Sequence, residues 1–292
     1  MTNDHRAGAV ALDHLGPANL VETFGFLDRD PVLNVYPLAL VLRDALARPQ
    51  DEFWAARRDG KIVGLLHLGG QTGAVLPLGD DADGLRRLAE CTLRRLSFLP
   101  RRFQVIGSRE AVRALTGCLR RAGIGPRLSR DQLYMSVERG GLRPFDRLPE
   151  LRQATPEDYD LLHASGATLR LEELEEDPRL DDPAGYAKRV EAECRDGFTH
   201  LWLDREGLCF RASVSALTPE AAQVAGVYTA PERRNRGLAR RGLSELCERL
   251  LEKSRAACLF VNDFNAPALA LYRRLGLEVR AEWASAFYIT DP

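Results

Sequence analysis

Short apolar runs alternate with segments of helical periodicity along the chain, and this alternation limits the possible folds more than any other feature. In the second half, apolar runs at 198–203, 208–217 and 222–229 precede a long periodic segment, and a run at 258–261 precedes a shorter one at 267–275. Short apolar runs predict buried strands, and segments of period 3.6 predict helices that pack on them. We therefore predict an α/β (α+β mixed sheet) fold.

The first half has the same pattern. It predicts helix 37–47, followed by a hairpin of strands 53–57 and 62–68 that turns at Asp59-Gly60. The elements predicted after the hairpin are strand 74–78, helix 84–96, strand 103–106, helix 110–122 and strand 133–137. One α/β unit thus occurs twice. The turn-rich segment 140–145 separates the copies, so we predict two domains, 1–143 and 144–292.

Composition excludes several classes of protein. Hydrophobic residues make up 45% of the 292 residues and charged residues 28%, which is enough to bury a full core and excludes disordered and collagen-like chains. The net charge of −1 argues against nucleic acid or a membrane surface as a partner. The sequence makes no prediction of the oligomeric state.

The six cysteines show no metal-ligand spacing and no C-x-x-C pair, so we expect reduced thiols in the core and no metal. The first ten residues include Asp4, His5 and Arg6 and lack an apolar segment. No apolar run is long enough for a transmembrane helix. We therefore expect a cytoplasmic protein.

The segment 227–239 carries the strongest chemical signal. It runs from a strand through a Pro-terminated turn and an Arg-rich loop into the long helical segment. Free N–H groups and the dipole at a helix start attract anions. Gly237 and Ala239 leave room for a phosphate beside the backbone, and Arg234 and Arg236 add charged donors. Neither a P-loop nor a Rossmann fingerprint is present.

A second motif occupies residues 261–277. Asn265 is placed to cap a short helix, with Pro267 in its first turn and Gly276 just beyond its end. Taken alone, this segment is also explained as a capped helix with Tyr272 in the core.

Together the two motifs resemble the GNAT superfamily of N-acetyltransferases. The stretch Arg234-Asn235-Arg236-Gly237-Leu238-Ala239 matches the family signature Gln/Arg-x-x-Gly-x-Gly/Ala, and Asn265, Ala268, Leu271, Tyr272 and Gly276 match its downstream cofactor motif. Gly237 and Asn265 are 28 residues apart, with one helix and one strand between them, as in the family. The resemblance covers about residues 146–292.

The resemblance implies a tandem GNAT-like acyl-CoA N-acyltransferase fold and acetyl-CoA as the cosubstrate. Backbone N–H groups from Asn235 to Ala239 would hold the pyrophosphate, and the strand around Val227 and Thr229 would pair with the pantetheine amides. The residues expected to bind acetyl-CoA are Val227, Tyr228, Thr229, Arg234, Asn235, Arg236, Gly237, Leu238, Ala239 and Asn265.

The implied reaction is direct attack of a primary amine on the thioester in a ternary complex. A backbone N–H of the Val227 strand would stabilise the oxyanion. Tyr272 stands where the family often has the acid that protonates the departing thiolate, although a packing role also explains it.

The general base is less clear. Family members often carry a Glu on the strand before the phosphate loop, but residues 221–227 contain no carboxylate and Glu220 lies just outside. We therefore favour a water relay over the weaker candidates Glu172, Glu173 and Glu191.

The segment 169–196 contains ten acidic and five basic residues. In the resembled fold this region flanks the acceptor entrance. Its charge would favour a cationic amine such as a polyamine, an aminoglycoside or a peptide N-terminus. A solvated helix-and-loop surface explains the same composition.

The first half lacks the cofactor motif. When Gly84 is aligned with Gly237, acidic residues replace the arginines: Asp80, Asp81 and Asp83. They would repel a phosphate. Leu119 falls at the position of Tyr272. We therefore predict a degenerate GNAT-like domain that completes the acceptor pocket or covers a strand edge.

Two alternatives to a small-molecule acetyltransferase remain. One is a non-catalytic acetyl-CoA-binding sensor, which the missing strand Glu would allow. The other is a protein lysine or N-terminal acetyltransferase, which would share the chemistry and require an open peptide groove.

Overall fold

A computed structural model describes residues 8–290, which contain twelve strands and nine α-helices. Asp4, His5 and Arg6 lie outside this range. None of the helices within it is long and apolar enough to cross a bilayer. The same range contains no group of three or more His, Cys, Asp or Glu side chains placed to hold a metal ion. All six cysteines are buried and free, which confirms the prediction of core thiols.

The two halves of the chain repeat one order of elements. The first half contains β1 (Ala11–Leu15), α1 (Leu20–Leu27), α2 (Val35–Asp44), β2 (Asp51–Arg58), β3 (Lys61–Gly69), β4 (Ala74–Leu78), α3 (Ala82–Arg94), β5 (Arg102–Ser108), α4 (Arg109–Arg121) and β6 (Leu128–Glu138). The second contains β7 (Arg152–Gln153), α5 (Tyr159–Leu174), α6 (Pro178–Asp181), α7 (Pro183–Asp196), β8 (Thr199–Asp204), β9 (Gly207–Leu217), β10 (Ala221–Tyr228), α8 (Leu238–Leu251), β11 (Ala256–Asn262), α9 (Ala266–Leu275) and β12 (Glu278–Ile289). Only α6 lacks a counterpart within residues 8–290, so the predicted repeat and the α/β class are confirmed.

The sequence patterns missed some elements and shortened others. β1 is mostly exposed and β7 has two residues, so neither shows the alternation that predicts a strand. A 3₁₀ turn at Pro156–Asp158 precedes α5, which continues to Leu174, into the acidic segment. The hairpin turn is confirmed, because Asp59 and Gly60 both have positive φ between β2 and β3.

The residues form two compact units. Unit 1 contains the chain up to Tyr134, residues Asn262–Phe264 and the chain from Arg280 onward, and unit 2 contains Met135–Val261 and Asn265–Val279. The last strand, β12, belongs mainly to unit 1, where it pairs antiparallel with β5. The sequence analysis had placed it in the second domain. The units therefore differ from the ranges 1–143 and 144–292, and the division at residue 143 stays a prediction of where the repeats join.

Unit 1 is built on strands in the order β1-β2-β3-β4-β5-β12-β6, with β6 contributing the residues up to Tyr134. Helices α1 and α2 pack Leu27 and Leu38 into one core cluster with strand residues such as Leu65. Helices α3 and α4 pack Leu88 and Leu115 into a second cluster. Because successive strand residues point to opposite faces, the two clusters cover the two sides of this sheet.

Unit 2 orders its strands β6-β11-β10-β9-β8-β7. Leu162 of α5 and Val190 of α7 pack in one cluster with Leu201 of β8. Helix α8 lies against β9 through Gly242, where a Cβ would come within 2.4 Å of the Phe210 ring. Glycine at this position therefore allows α8, which follows the predicted phosphate loop, to lie close to the sheet.

Candidate active site

Helix α8 begins without a side-chain cap. Strand β10 ends at Tyr228, a 3₁₀ turn follows at Pro231–Arg233, and Asn235 and Gly237 then adopt left-handed φ values of 61° and 77°. Gly237 is the N-cap residue, so it offers no side-chain acceptor, and the first turn of the helix contains no acidic residue. The N–H groups that start the helix are therefore left for an external acceptor.

The start of α8 is also open. Residues 234–237 are exposed, and a Cβ at Gly237 would have no atom within 4 Å. An exposed helix start with free N–H groups, no competing carboxylate in its first turn and empty space beside it has the properties of an anion site. The start of α8 thus suits an anion, and contact of residues 235–239 with a pyrophosphate stays a prediction.

Arg233, which the sequence analysis did not single out, anchors the loop. It is buried and donates hydrogen bonds of 2.9 and 2.5 Å to the carboxylate of Asp204 and of 3.0 Å to the carbonyl of Gly207. These hydrogen bonds raise the pKa of Arg233 and lower that of Asp204. The sequence does not show that Arg233 is structural while Arg234 and Arg236 are exposed, because all three residues are arginines.

Arg234 and Arg236 each bind a glutamate. Arg234 donates to both carboxylate oxygens of Glu172 at 2.9 and 2.7 Å and to the carbonyl of Thr229 at 3.0 Å. Arg236 donates to Glu206 at 2.9 Å. The four side chains of these ion pairs are between 37% and 61% exposed, and exposed ion pairs contribute only about 0–1 kcal/mol. A phosphate can therefore compete for both guanidinium groups.

The strands that lead into the site separate from each other. Parallel pairing of β10 with β11 joins Ala221–Gln223 to Ala256–Cys258, and beyond it each strand continues for several residues without pairing to the other. On its other side β10 bulges away from β9 between Ala225 and Tyr228. Residues 225–227 are half-buried, and Gly226 and Val227 have no partner in the register with β9, so backbone groups at this opening in the sheet lie outside the ladder.

The predicted strand residues occupy different environments. Val227 lies at this opening, whereas the side chains of Tyr228 and Thr229 are buried. The Thr229 hydroxyl donates to the carbonyl of Cys209 at 3.2 Å. Only backbone groups of these two residues remain for a ligand. Their contact with pantetheine stays a prediction.

Helix α9 follows β11 and carries the second motif. Asn265 caps it by accepting a hydrogen bond of 3.2 Å from the Ala268 N–H, and Gly276 ends it with a φ of 107°. The predicted cap and stop are therefore confirmed. Contact of Asn265 with acetyl-CoA stays a prediction.

Tyr272 lies on the buried face of α9. Burial raises the pKa of its phenol well above the usual value, and the negative charge of Glu173 adds to this shift. The phenol therefore keeps its proton at physiological pH. This is the protonation state that a proton donor to a thiolate requires.

The family model described as "Acetyltransferase (GNAT) family" matches residues 148–277. The chain carries a GNAT acetyltransferase domain. The sequence has no significant match among curated proteins.

Solved structures with the same fold extend over nearly the whole chain. A GCN5-related N-acetyltransferase from Sphaerobacter thermophilus is 16% identical, with 97% of this chain and 96% of that one covered and a TM-score of 0.60. A tandem GNAT protein from the clavulanic acid biosynthesis pathway is 14% identical, with 97% and 99% covered and a TM-score of 0.54. A GNAT-family acetyltransferase from Colwellia psychrerythraea is 12% identical, with 95% and 99% covered and a TM-score of 0.53. The fold is thus that of tandem GNAT proteins.

The carboxylates considered as general bases differ in their surroundings. Glu220 pairs with Arg255 at 3.2 Å, Glu172 binds Arg234, and Glu191 is exposed on α7. Glu173 is different, because desolvation of its carboxyl by the surrounding protein and the charge of Glu172 raise its pKa to about 6.

Proposed function

We propose that the GNAT domain transfers the acetyl group of acetyl-CoA to a primary amine by direct attack in a ternary complex. The observation that carries the proposal is the opening between β10 and β11, which leads to the uncapped start of α8. An elongated ligand with an anionic end and amide groups along its length fits this arrangement, and coenzyme A has both.

In this proposal different residues bind different parts of acetyl-CoA. N–H groups from Asn235 to Ala239 hold the pyrophosphate, and Arg234 and Arg236 exchange their glutamate partners for it. The exposed backbone at Val227 binds the pantetheine amides. No metal takes part.

The chemistry needs an oxyanion site, a proton donor and a proton acceptor. The β10 bulge exposes backbone N–H groups to the developing oxyanion. Tyr272 donates its proton to the thiolate, because its raised pKa keeps the phenol protonated at neutral pH. The proton from the amine passes to water or to Glu173, whose pKa of about 6 places it closest to the working range.

Calorimetry with acetyl-CoA and a thiol-release assay test the proposal together. We expect acetyl-CoA to bind, and CoA thiol to appear when spermidine, an aminoglycoside or a peptide with a free N-terminus is added. Tight binding without thiol release on any amine would instead favour an acetyl-CoA sensor. Absence of binding would refute the proposed site.

A further inference from the structure

A network of polar side chains lies between α7 and the central strands of unit 2. One carboxylate oxygen, Oε1 of Glu193, accepts hydrogen bonds from the hydroxyl of Thr199, from Ser213 at 3.1 Å and from Arg211 at 2.5 Å. The two hydroxyl oxygens lie 2.6 Å apart. Arg211 and Thr199 are buried, so most of this network is shielded from water.

The network reaches the surface of the site at Ser213, which pairs with Ala225 at the start of the β10 bulge. Ser213 is half-buried. A Cβ added to Gly226 would lie 3.9 Å from the Ser213 hydroxyl oxygen and 3.7 Å from a methyl group of Leu169. Because Gly226 has no side chain, the space between this hydroxyl and α5 stays open.

The hydrogen bonds leave Ser213 able to accept one more. The Ser213 hydroxyl donates to Glu193 or to Thr199, and Thr199 donates to Glu193 or to Ser213. A hydroxyl oxygen has two lone pairs, and these contacts use at most one of them on Ser213. Ser213 Oγ therefore keeps a lone pair for an outside donor.

We propose that Ser213, supported by Thr199 and Glu193, binds the acceptor amine next to the β10 bulge. An amine supplies the N–H donor that the remaining lone pair of Ser213 lacks. Glu193 is already paired with the buried Arg211, so the selection rests on the hydrogen bond and not on net charge. A carboxylate or phosphate acceptor would bring only lone pairs to this hydroxyl. The site thus selects amines over acidic acceptors. The inference rests on the proposed acetyltransferase function.

The test uses the full-length protein and the amine of the panel that gives the fastest thiol release. In Ser213→Ala we expect the KM for this amine to rise about tenfold, with little change in kcat, because a hydrogen bond to a charged group is lost. The affinity of the same amine for the protein saturated with CoA, measured by calorimetry, should fall by the same factor. The affinity for acetyl-CoA should stay unchanged.

Two further variants separate binding from folding. Ser165→Ala removes a hydroxyl that accepts from Arg211 at 3.0 Å on the other side of the network, so it should match Ser213→Ala in thermal stability but keep the wild-type KM. Thr199→Val should raise the KM for the amine, and Thr199→Ser should restore it, since serine keeps the hydroxyl.

Each outcome supports or overturns the inference. An unchanged amine KM and amine affinity in Ser213→Ala, with acetyl-CoA still bound and turned over, would overturn it and leave the proposed function standing. An equal rise of KM in Ser165→Ala would reduce Ser213 to a structural role. A wild-type protein that binds acetyl-CoA without acetylating any amine of the panel would refute both proposals.

Discussion

Helices α3 and α8 hold equivalent places in the two repeats, yet they begin in opposite ways. At α3 the N-terminus is closed by the protein itself, because Asp81 accepts from the Gly84 N–H at 2.7 Å and also binds Arg58. At α8 the N-cap is Gly237 and no side chain reaches the free N–H groups. One helix start is satisfied internally, and the other remains available to a ligand.

The strands beside the two helices show the same contrast. Every residue of β4 is buried, and a Cβ at Gly107 of β5 would approach the Pro77 carbonyl to 3.1 Å, so these parallel strands stay close. Residues 225–227 of β10 are half-buried beside a bulge. A shared order of elements therefore does not imply a shared site, since a cap and a bulge decide whether the ligand has room. That the first repeat is a degenerate GNAT-like domain remains our proposal.

The largest expected effect concerns how α8 is held. Glu245 is buried on this helix, where α3 has Thr92, and it accepts hydrogen bonds from Arg147, Arg249 and the Leu148 N–H. Glu245→Ala leaves these donors without their acceptor, so we expect a loss of about 3 kcal/mol in the free energy of unfolding. Urea denaturation measures it.

The same carboxylate predicts a pH dependence. Its hydrogen bonds lower the pKa of Glu245 from 4.5 to about 2. Its contribution is complete above pH 4.5 and disappears as the pH falls toward 2. The stability difference between wild type and Glu245→Ala should therefore shrink over this range. Glu248→Ala, a partly exposed position on the same helix, should cost less than about 0.5 kcal/mol; a pH-independent difference would contradict the assignment.

A carboxylate placed at the start of α8 should make it resemble α3. For Gly237→Asp we expect the affinity for acetyl-CoA to fall by about 100-fold, because the new charge repels the pyrophosphate and competes for the N–H groups. Gly237→Ala imposes the same backbone strain without the charge, so calorimetry should show a much smaller loss. Equal losses in the two variants would mean that strain explains the effect.

Removal of the exposed arginines tests the other half of the anion site. Arg234→Ala combined with Arg236→Ala should weaken acetyl-CoA binding about 30-fold, because two charge-assisted hydrogen bonds are lost. Arg255→Ala, which removes an exposed arginine just before β11, is the matched control and should bind normally. If calorimetry finds the double variant unchanged, the arginines serve only their glutamate partners.

The proposed proton donor, Tyr272, distinguishes α9 from α4, where Leu119 is buried at the equivalent position. Tyr272→Phe should lower kcat about tenfold and leave acetyl-CoA affinity unchanged, because it removes a proton and not a binding contact. Since the pKa of Tyr272 is raised, its ionisation should not reduce the wild-type rate between pH 7 and pH 10. A normal kcat in the variant would assign Tyr272 to packing.

The smallest expected effect is in the first repeat. Asp81→Ala removes the cap of α3 and should cost about 1 kcal/mol of stability in urea denaturation. It should not create acetyl-CoA binding there, because β4 remains buried and Asp83 stays in the first turn of α3. Acetyl-CoA binding at this helix would show that the cap alone had closed a working site.

The sequence by itself determined the local structure. The repeated strand-helix order, the hairpin at Asp59-Gly60, the cap at Asn265 and the start of α8 at Leu238 all follow from periodicity, turn residues and capping residues. These depend on interactions between residues a few positions apart, which the linear order of the chain already contains.

Tertiary structure decided which distant residues meet. Contacts between distant residues include the pairing of β12 with β5, the ion pairs of Arg233, Arg234 and Arg236, and the hydrogen bond of Ser213 to Glu193. The residues that they join are 20 to more than 170 positions apart. An exposed arginine and a buried one carry the same letter in the sequence. Their roles differ only because packing sets the solvent exposure and the partner of each charge.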